Sequence, residues 1–559
     1  MDACLDRCHP KPASQAREAG LTHKGIPIPA TPLEPPASTG DPSPGAPRGL
    51  TQRTLAGLFW TFSGTGVQMA VQLLVIMALG RLITPAQFGL MGAAAVIVAL
   101  SQIVSQVGVG PAIIQRREVT PAHIRVAVTL SGTLGLLLGA VVWFGAHAIA
   151  EFYRIPAVEP VLRGVAFLFP LDGLNTVAKS LIIRQLRFRL YVALDVGSYI
   201  VGYAVVGVTL AWLGYGVWAL VMANLSQVGL RMVMMYAATR HPLRPSLDRR
   251  AGRELLSFGF GHSLAQIGTV FSEQGDNMVV GRWLGPAALG IYGRAYSLMV
   301  MPASAFGKIV NRVLFPVMAQ VQDERDRLVA AYERALAIVA LVSLPIAAFL
   351  WVVAPEFIPV ILGPAWTAVI LPFRLFSISL LFRMSSKISD ACTKAAGAVY
   401  SRAVRQGGFA ALVVLGAIAG QRWGVGGVSV AVSIAMGINF FTMASLGRSV
   451  TGLSWARFAR AHAPGAVLAL VIGVAAYASA ELARTAHLGK LAVLAVAGLA
   501  SVAAGYAAAR ARAELFLGPH GTWASHRVGE LVARGRAGVP RRGGAAAGGL
   551  APVAKANSE

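Results

Sequence analysis

Glu273 and Asp276 stand three residues apart in the run "IGTVFSEQGDNMVV", whose other members are mostly apolar or small. Ionisable groups in such runs are expensive in hydrocarbon and face a bundle interior or a water-filled cavity. His262, Gln266 and Asn277 share the helical face of Glu273, with Asp276 beside it. Further on, Arg294, Ser297, Met301, Lys308 and Arg312 follow one stripe. Asp172, Asn175 and Lys179 keep helical spacing, as do Arg383, Lys387 and Asp390. The two acid–lysine sets also read as structural pairs within a helix, and Lys308 and Arg312 as anchors at a cytoplasmic membrane surface. The chemistry open to these groups is reversible binding rather than bond breaking. The sequence has no phosphate-binding Walker loop, no His/Cys cluster at metal-ligand spacing and no Asp-x-Asp motif. "QDERDR" at Gln322–Arg327 reads as a solvated helix start, and an enzyme is not expected.

Such residues need long apolar elements to carry them. The 559-residue chain is 55% hydrophobic and 13% charged, with a mean hydropathy of +0.62; a soluble domain carries about twice that charge. Apolar runs of about 20 residues, long enough to cross a ~30 Å hydrocarbon core, recur from Leu55 to Arg510. No long run alternates with a period of two, so a β-barrel is not expected. The expectation is an all-α polytopic membrane protein with about fourteen transmembrane helices. Their starts fall near Gly57, Phe88, Ile124, Val161, Tyr191, Val217, Leu255, Ala288, Leu328, Thr367, Tyr400, Gly424, Pro464 and Leu491. Basic residues crowd alternate connections: Arg184, Arg187 and Arg189 in one, and Arg240, Arg244, Arg249, Arg250 and Arg253 in another. Arg81, Arg154, Arg282 and Arg422 nearly exhaust the remaining set. Basic loops are cytoplasmic, which places both termini there. The net charge of +25 then serves anionic lipid headgroups rather than nucleic acid.

The stretch "GRLITPAQFGLMG" (Gly80–Gly92) returns 201 residues later as "GRWLGPAALGIYG" (Gly281–Gly293). In each, Gly-Arg closes one span and a proline opens the next, with Arg81 and Arg282 as snorkelling or hairpin-capping residues. The preceding polar stripe Thr61, Thr65, Gln68 and Gln72 maps at the same offset onto His262, Gln266, Thr269 and Glu273. An even number of helices per repeat preserves orientation. The halves are therefore expected as six-helix lobes, parallel repeats about a pseudo-twofold along the membrane normal, with the substrate site between them. The boundaries follow: 1–52 a disordered cytoplasmic arm, 53–250 the first lobe, 251–447 the second, 448–510 an additional helix pair and 511–559 a basic disordered cytoplasmic tail. Of the 3 cysteines, Cys4 and Cys8 lie in the arm, where free thiols are expected.

Three segments carry a family resemblance: "DNMVVGRWLGPAALGIYGRAY" around the second repeat, "LIIRQLRFRL" (Leu181–Leu190) and "GYGVWALV" (Gly214–Val221). In order and spacing, over roughly 51–450, the chain resembles the polysaccharide transporter family. These are the Wzx-type oligosaccharide flippases and exopolysaccharide exporters of the multidrug/oligosaccharidyl-lipid/polysaccharide (MOP) superfamily. The resemblance implies alternating-access transport of an undecaprenyl-diphosphate-linked oligosaccharide. The cargo would pass from the cytoplasmic to the periplasmic leaflet of the bacterial inner membrane, for exopolysaccharide, capsule or lipopolysaccharide biosynthesis. An isolated ion in low dielectric costs on the order of tens of kcal/mol, so Arg294, Lys308 and Arg312, with Lys179, are the expected contacts for a pyrophosphate. Gln68, Gln72, Gln266 and Asn277 are the expected contacts for sugar hydroxyls. No cofactor is expected; Glu273 and Asp276 are candidate sites for a coupling H+ or Na+, with the membrane potential as the alternative. Expected partners are the lipid-linked saccharide, inner-membrane lipids, and a polysaccharide polymerase and co-polymerase. Two other readings stay open: a MATE-like cation-coupled drug efflux antiporter, and a non-transporting scaffold of a polysaccharide assembly complex.

Overall fold

Every backbone N–H and C=O inside hydrocarbon must find its partner within the protein. The computed structural model meets that demand with helices, and no strand occurs among the described residues. Those residues are 50–523 apart from 106–108, 117, 243, 247 and 311–313; their side chains are described except at 50–65, 101–105, 251, 254–267, 305, 308, 309 and 399. The arm before residue 50, with Cys4 and Cys8, and the tail after residue 523 lie outside them. The helices from residue 52 onward belong to one unit, Gln52–Glu559.

In chain order the helices are α1 (Leu50–Leu82), α2 (Pro85–Ser105), α3 (Val109–Gln115), α4 (Pro121–Tyr153), α5 (Val158–Ala166), α6 (Leu168–Arg184), α7 (Phe188–Tyr199), α8 (Val208–Trp212) and α9 (Val217–Thr239). They continue as α10 (Arg249–Ile309), α11 (Phe315–Gln320), α12 (Arg325–Leu362), α13 (Ile370–Ala395), α14 (Val399–Gly420), α15 (Gly424–Thr451), α16 (Trp455–Thr485), α17 (Lys490–Ala511) and α18 (Ala513–Phe516). A π-helical segment, Ile200–Gly207, joins α7 to α8. Among the described residues, 9 helical stretches have the length and hydropathy to cross a membrane, and Gly66–Leu82 and Pro85–Leu100 are shorter apolar helices.

Local sequence sets the ends. Thr120 caps α4, accepting from His123 N, with Pro121 in the first turn, where a missing N–H costs nothing. Ser454 does the same for α16 through Arg457 N. The long α10 is bent at Gly285, whose φ of 84° suits a residue without a Cβ, and Pro286 restarts the helix. Its two arms, 249–284 and 286–309, are the elements that the repeat analysis expects as separate spans.

Packing relies on small residues, as expected where lipid is as apolar as the side chains and close approach is what stabilises contact. α2 lies against the second arm of α10, and the crossing is reciprocal. A Cβ on Gly89 would overlap the Pro286 carbonyl, and one on Gly290 would overlap the Pro85 carbonyl. These four residues are the paired glycines and prolines of the repeated stretch, so the repeat meets itself. Gly80 and Gly281 repeat the pattern less symmetrically: a Cβ on Gly80 would come within 2.9 Å of the Leu362 carbonyl, and one on Gly281 within 2.8 Å of the Tyr153 ring.

Polar contacts fasten the same end of the bundle, where the connections carry little charge. Trp366 Nε1, fully buried, donates to Gly80 O at 2.7 Å. Arg81 caps its own helix by donating to Met77 O at 3.0 Å, and also reaches across to Val360 O at 2.7 Å. The Arg282 guanidinium stands 5.6 Å from the Phe152 ring centre. The two arginines thus do more than the capping or snorkelling expected of them: each joins its helix to an element more than a hundred residues away in sequence. At the C-terminal side, α16 packs on α12, and Arg484 grips the buried Glu356 with two hydrogen bonds of 2.9 Å.

Candidate substrate cavity

A cavity of about 530 Å³ opens between α1, α2, the α7–π segment, α9 and both arms of α10. Its volume lies within the range of sites that enclose a small-molecule ligand, about 300–1,000 Å³. Gln68 and Gln72 project from α1, one turn apart, and Arg294, Ser297 and Met301 from α10. Arg294 lies four residues beyond Gly290, so it stands ~6 Å from that glycine of the crossing along the helix.

The aromatic wall comes from a local irregularity. In the π segment, Gly202 and Gly207 sit against α9, where Cβ atoms would meet Gln227 and Ala223. With the glycines backed onto α9, Tyr199 and Tyr203 turn to the cavity, their rings stacked 4.9 Å apart. π turns inside α-helices occur frequently at functional sites. Phe88 completes the wall and lies under the Arg294 guanidinium, 4.5 Å from it, a cation–π distance that steadies the charge without neutralising it. Arg294 has no ion pair among the described residues, and no Asp or Glu lines the cavity among them.

Of the residues singled out from the sequence, Gln68, Gln72 and Arg294 line this cavity. Asn277 stands one layer behind, its Nδ2 donating to the lining residue Gln274 at 3.1 Å. Lys179 is exposed on α6 and is not a lining residue. The side chains of Thr61, Thr65, His262, Gln266 and Lys308, and residue Arg312, lie outside the described residues.

Glu273 and Asp276 point away from this cavity. Asp276 is buried and accepts hydrogen bonds from Tyr292 OH at 2.6 Å and Asn277 N at 2.8 Å. Glu273 lies 3.8 Å from Arg383, whose Nη1 donates to Tyr296 OH at 2.7 Å. The two expected pairs within a helix, Asp172 with Lys179 and Lys387 with Asp390, do not form. Asp172 pairs with Arg231 at 3.0 Å, Arg231 also reaches Asp195 at 3.3 Å, and Gln68 Nε2 donates to Asp195 at 3.4 Å. Asp390 pairs with Lys394 at 2.6 Å and with Arg402.

Phe88, Tyr199, Tyr203, Gln274 and Tyr296 line the cavity without having been singled out. Gln274 carried a usable signal, a polar residue in an apolar run. The aromatic residues carried none, because a ring is cheap anywhere in a membrane bundle.

Solved membrane proteins share this fold. It resembles a structure of the lipid II flippase MurJ in an inward closed conformation, with a TM-score of 0.66 at 13% identity over 80% of this chain and 99% of that one. It also resembles an inward-facing multidrug resistance MATE transporter of the MOP superfamily, with a TM-score of 0.54 at 18% identity over 69% of this chain and 96% of that one. The model of the polysaccharide biosynthesis protein family matches residues 78–371, more than half of the chain, and the protein belongs to that family. Its relatives include the lipopolysaccharide biosynthesis protein WzxC of Escherichia coli K12, 24% identical over 60% of this chain and 68% of WzxC. The teichuronic acid biosynthesis protein TuaB of Bacillus subtilis is 23% identical over 60% of this chain and 70% of its own. The succinoglycan biosynthesis transport protein ExoT of Rhizobium meliloti is 26% identical over 55% and 62%.

Proposed function

We propose that the protein moves a lipid-linked anionic saccharide from the cytoplasmic to the outer leaflet of a bacterial inner membrane, for exopolysaccharide, capsule or lipopolysaccharide synthesis. Both termini would be cytoplasmic, and the end fastened by the glycine crossing would face outward. The two halves would act as lobes that rock about the cavity. The observation that carries this reading is Arg294: a cation without an ion pair, in a cavity whose described lining holds no acid and is otherwise amide, hydroxyl, aromatic and aliphatic. Such a wall suits a phosphate-bearing sugar. The guanidinium meets the anion, Gln68, Gln72 and Ser297 meet hydroxyls, and tyrosine and phenylalanine rings meet sugar faces. A drug-efflux role for organic cations would call for acidic walls instead. The polyprenyl tail stays in lipid while the head group passes, and a polymerase and co-polymerase on the far side would consume the product.

The test is polymer export by strains carrying Arg294→Ala or Lys308→Ala. Export should fall at least about tenfold, the loss expected when one charge-assisted contact of about 1.5–3 kcal/mol disappears. Membrane accumulation should be unchanged. Normal export in both variants would remove the charged-cavity mechanism.

A further inference from the structure

A second, smaller cavity of about 90 Å³ lies in the other half of the chain, between the first arm of α10 and helices α13, α14 and α15. It shares no lining residue with the central cavity. Its charges do not balance. Glu273 faces Arg383 at 3.8 Å, and Asp390 is engaged twice, by Lys394 at 2.6 Å and by Arg402. That occupies both acids. Lys387, one turn from Arg383 on the same helix, lines the cavity and has no hydrogen bond or ion pair among the described residues. Both nearby acids are engaged elsewhere, so an incoming anion offers the ammonium its one direct counter-charge among the described residues. The rest of the lining includes two amides whose N–H groups can donate to an anion, Asn439 and Gln406, the latter with one N–H already given to Ser272 Oγ at 2.9 Å. A water occupies about 10–15 Å³ on this measure, so the space fits one small anion with a few waters and no oligosaccharide.

We propose that this cavity binds a single small anion, with Lys387 as its principal contact and Arg383 and Arg402 around it. The chemistry is that of a halide, an inorganic phosphate or the carboxylate of an acidic sugar. Occupancy would reach the central cavity by one short route: Arg383 lines the small cavity, and its Nη1 hydrogen bond holds Tyr296, which lines the large one. An anion there sets the orientation of Arg383 and so the position of the Tyr296 ring. The site is independent of the transport reading, since no residue that lines it lines the central cavity.

Purified full-length protein in neutral detergent and gluconate buffer is titrated with chloride, inorganic phosphate and glucuronate. Thermal unfolding and calorimetry follow binding. The expected result is a saturating rise in the unfolding midpoint with about one anion bound per chain. In Lys387→Gln the apparent affinity weakens at least about tenfold. A response to chloride or phosphate identifies a free anion as the occupant, and a response to glucuronate alone identifies a sugar carboxylate. If Lys387→Gln does not accumulate, Gln406→Ala with Asn439→Ala serves in its place, with the same expected weakening. The proposal is overturned if no anion gives a saturable response. It is equally overturned if the variants respond like the wild type, since the anion would then bind elsewhere.

Discussion

Arg231 holds two acids that precede it by 59 and 36 residues, Asp172 and Asp195. Spacing alone offers Asp172 the ammonium of Lys179, two turns along its own helix. Positions seven apart are ~10 Å distant along the axis, however, and a guanidinium from the neighbouring helix comes to 3.0 Å. At Asp390 the spacing does allow Lys387, yet Lys394 and Arg402 take the acid. Sequence therefore marks which residues are polar in apolar surroundings, and so exposes Gln68, Gln72 and Arg294, but it does not mark which helix supplies the partner. The side chains around Arg231 are 18–28% exposed, enough burial for the loss of the hub to matter. Arg231→Leu leaves both acids without this cation and should lower the unfolding midpoint of the purified protein. The penalty for a broken buried pair is about 3–5 kcal/mol, and partial exposure places this one at or below the lower end. Arg231→Lys should recover part of it. An unchanged midpoint in Arg231→Leu would mean that the network adds nothing to stability.

The repeated Gly-Arg…Pro…Gly stretch is visible in the sequence as punctuation, but its use emerges only when the two copies are seen to touch. Equal spacing reports duplication and is silent on contact between the duplicates. Similarly, a π turn breaks the 3.6-residue period that sequence reading relies on, so the orientation of Tyr199 and Tyr203 toward the cavity is hidden. At the crossing, each missing Cβ is replaced by a backbone carbonyl of the other helix, which cannot move aside as a side chain can. Gly290→Val should therefore hold α2 and α10 apart and keep the sparsely charged end from closing. The hydrogen bonds of Trp366 and Arg81 contribute about 1 kcal/mol each and cannot offset that overlap. A cysteine introduced as Leu79→Cys, at a buried cavity position, should react faster with an impermeant maleimide added from outside when Gly290→Val is present, and polymer export should stop. Unchanged labelling with normal export would show that the crossing is not a gate.

Across the described residues, acids of the spans sit with cations in side networks and are kept out of the central cavity. One network in the first half holds Asp172, Asp195 and Arg231; the small cavity of the second half is lined by Glu273 and Asp390 with three cations; the described lining of the central cavity has Arg294 as its one charge. Glu273 and Asp276, the acids placed to bind a coupling ion, already have Arg383 and Tyr292 as neighbours. An anionic head group carried outward across an inside-negative membrane gains about 2.3 kcal/mol per charge per 100 mV, so a diphosphate gains about twice that without help from a co-transported cation. On this arrangement the membrane potential is the simpler drive. In proteoliposomes carrying a fluorescent lipid-linked saccharide, an imposed potassium diffusion potential should accelerate translocation with no Na+ or pH gradient. The double variant Glu273→Gln, Asp276→Asn should keep that response. Indifference to the potential, together with a strict need for a Na+ or pH gradient that the double variant abolishes, would return the driving force to the two acids and leave Arg294 with binding alone.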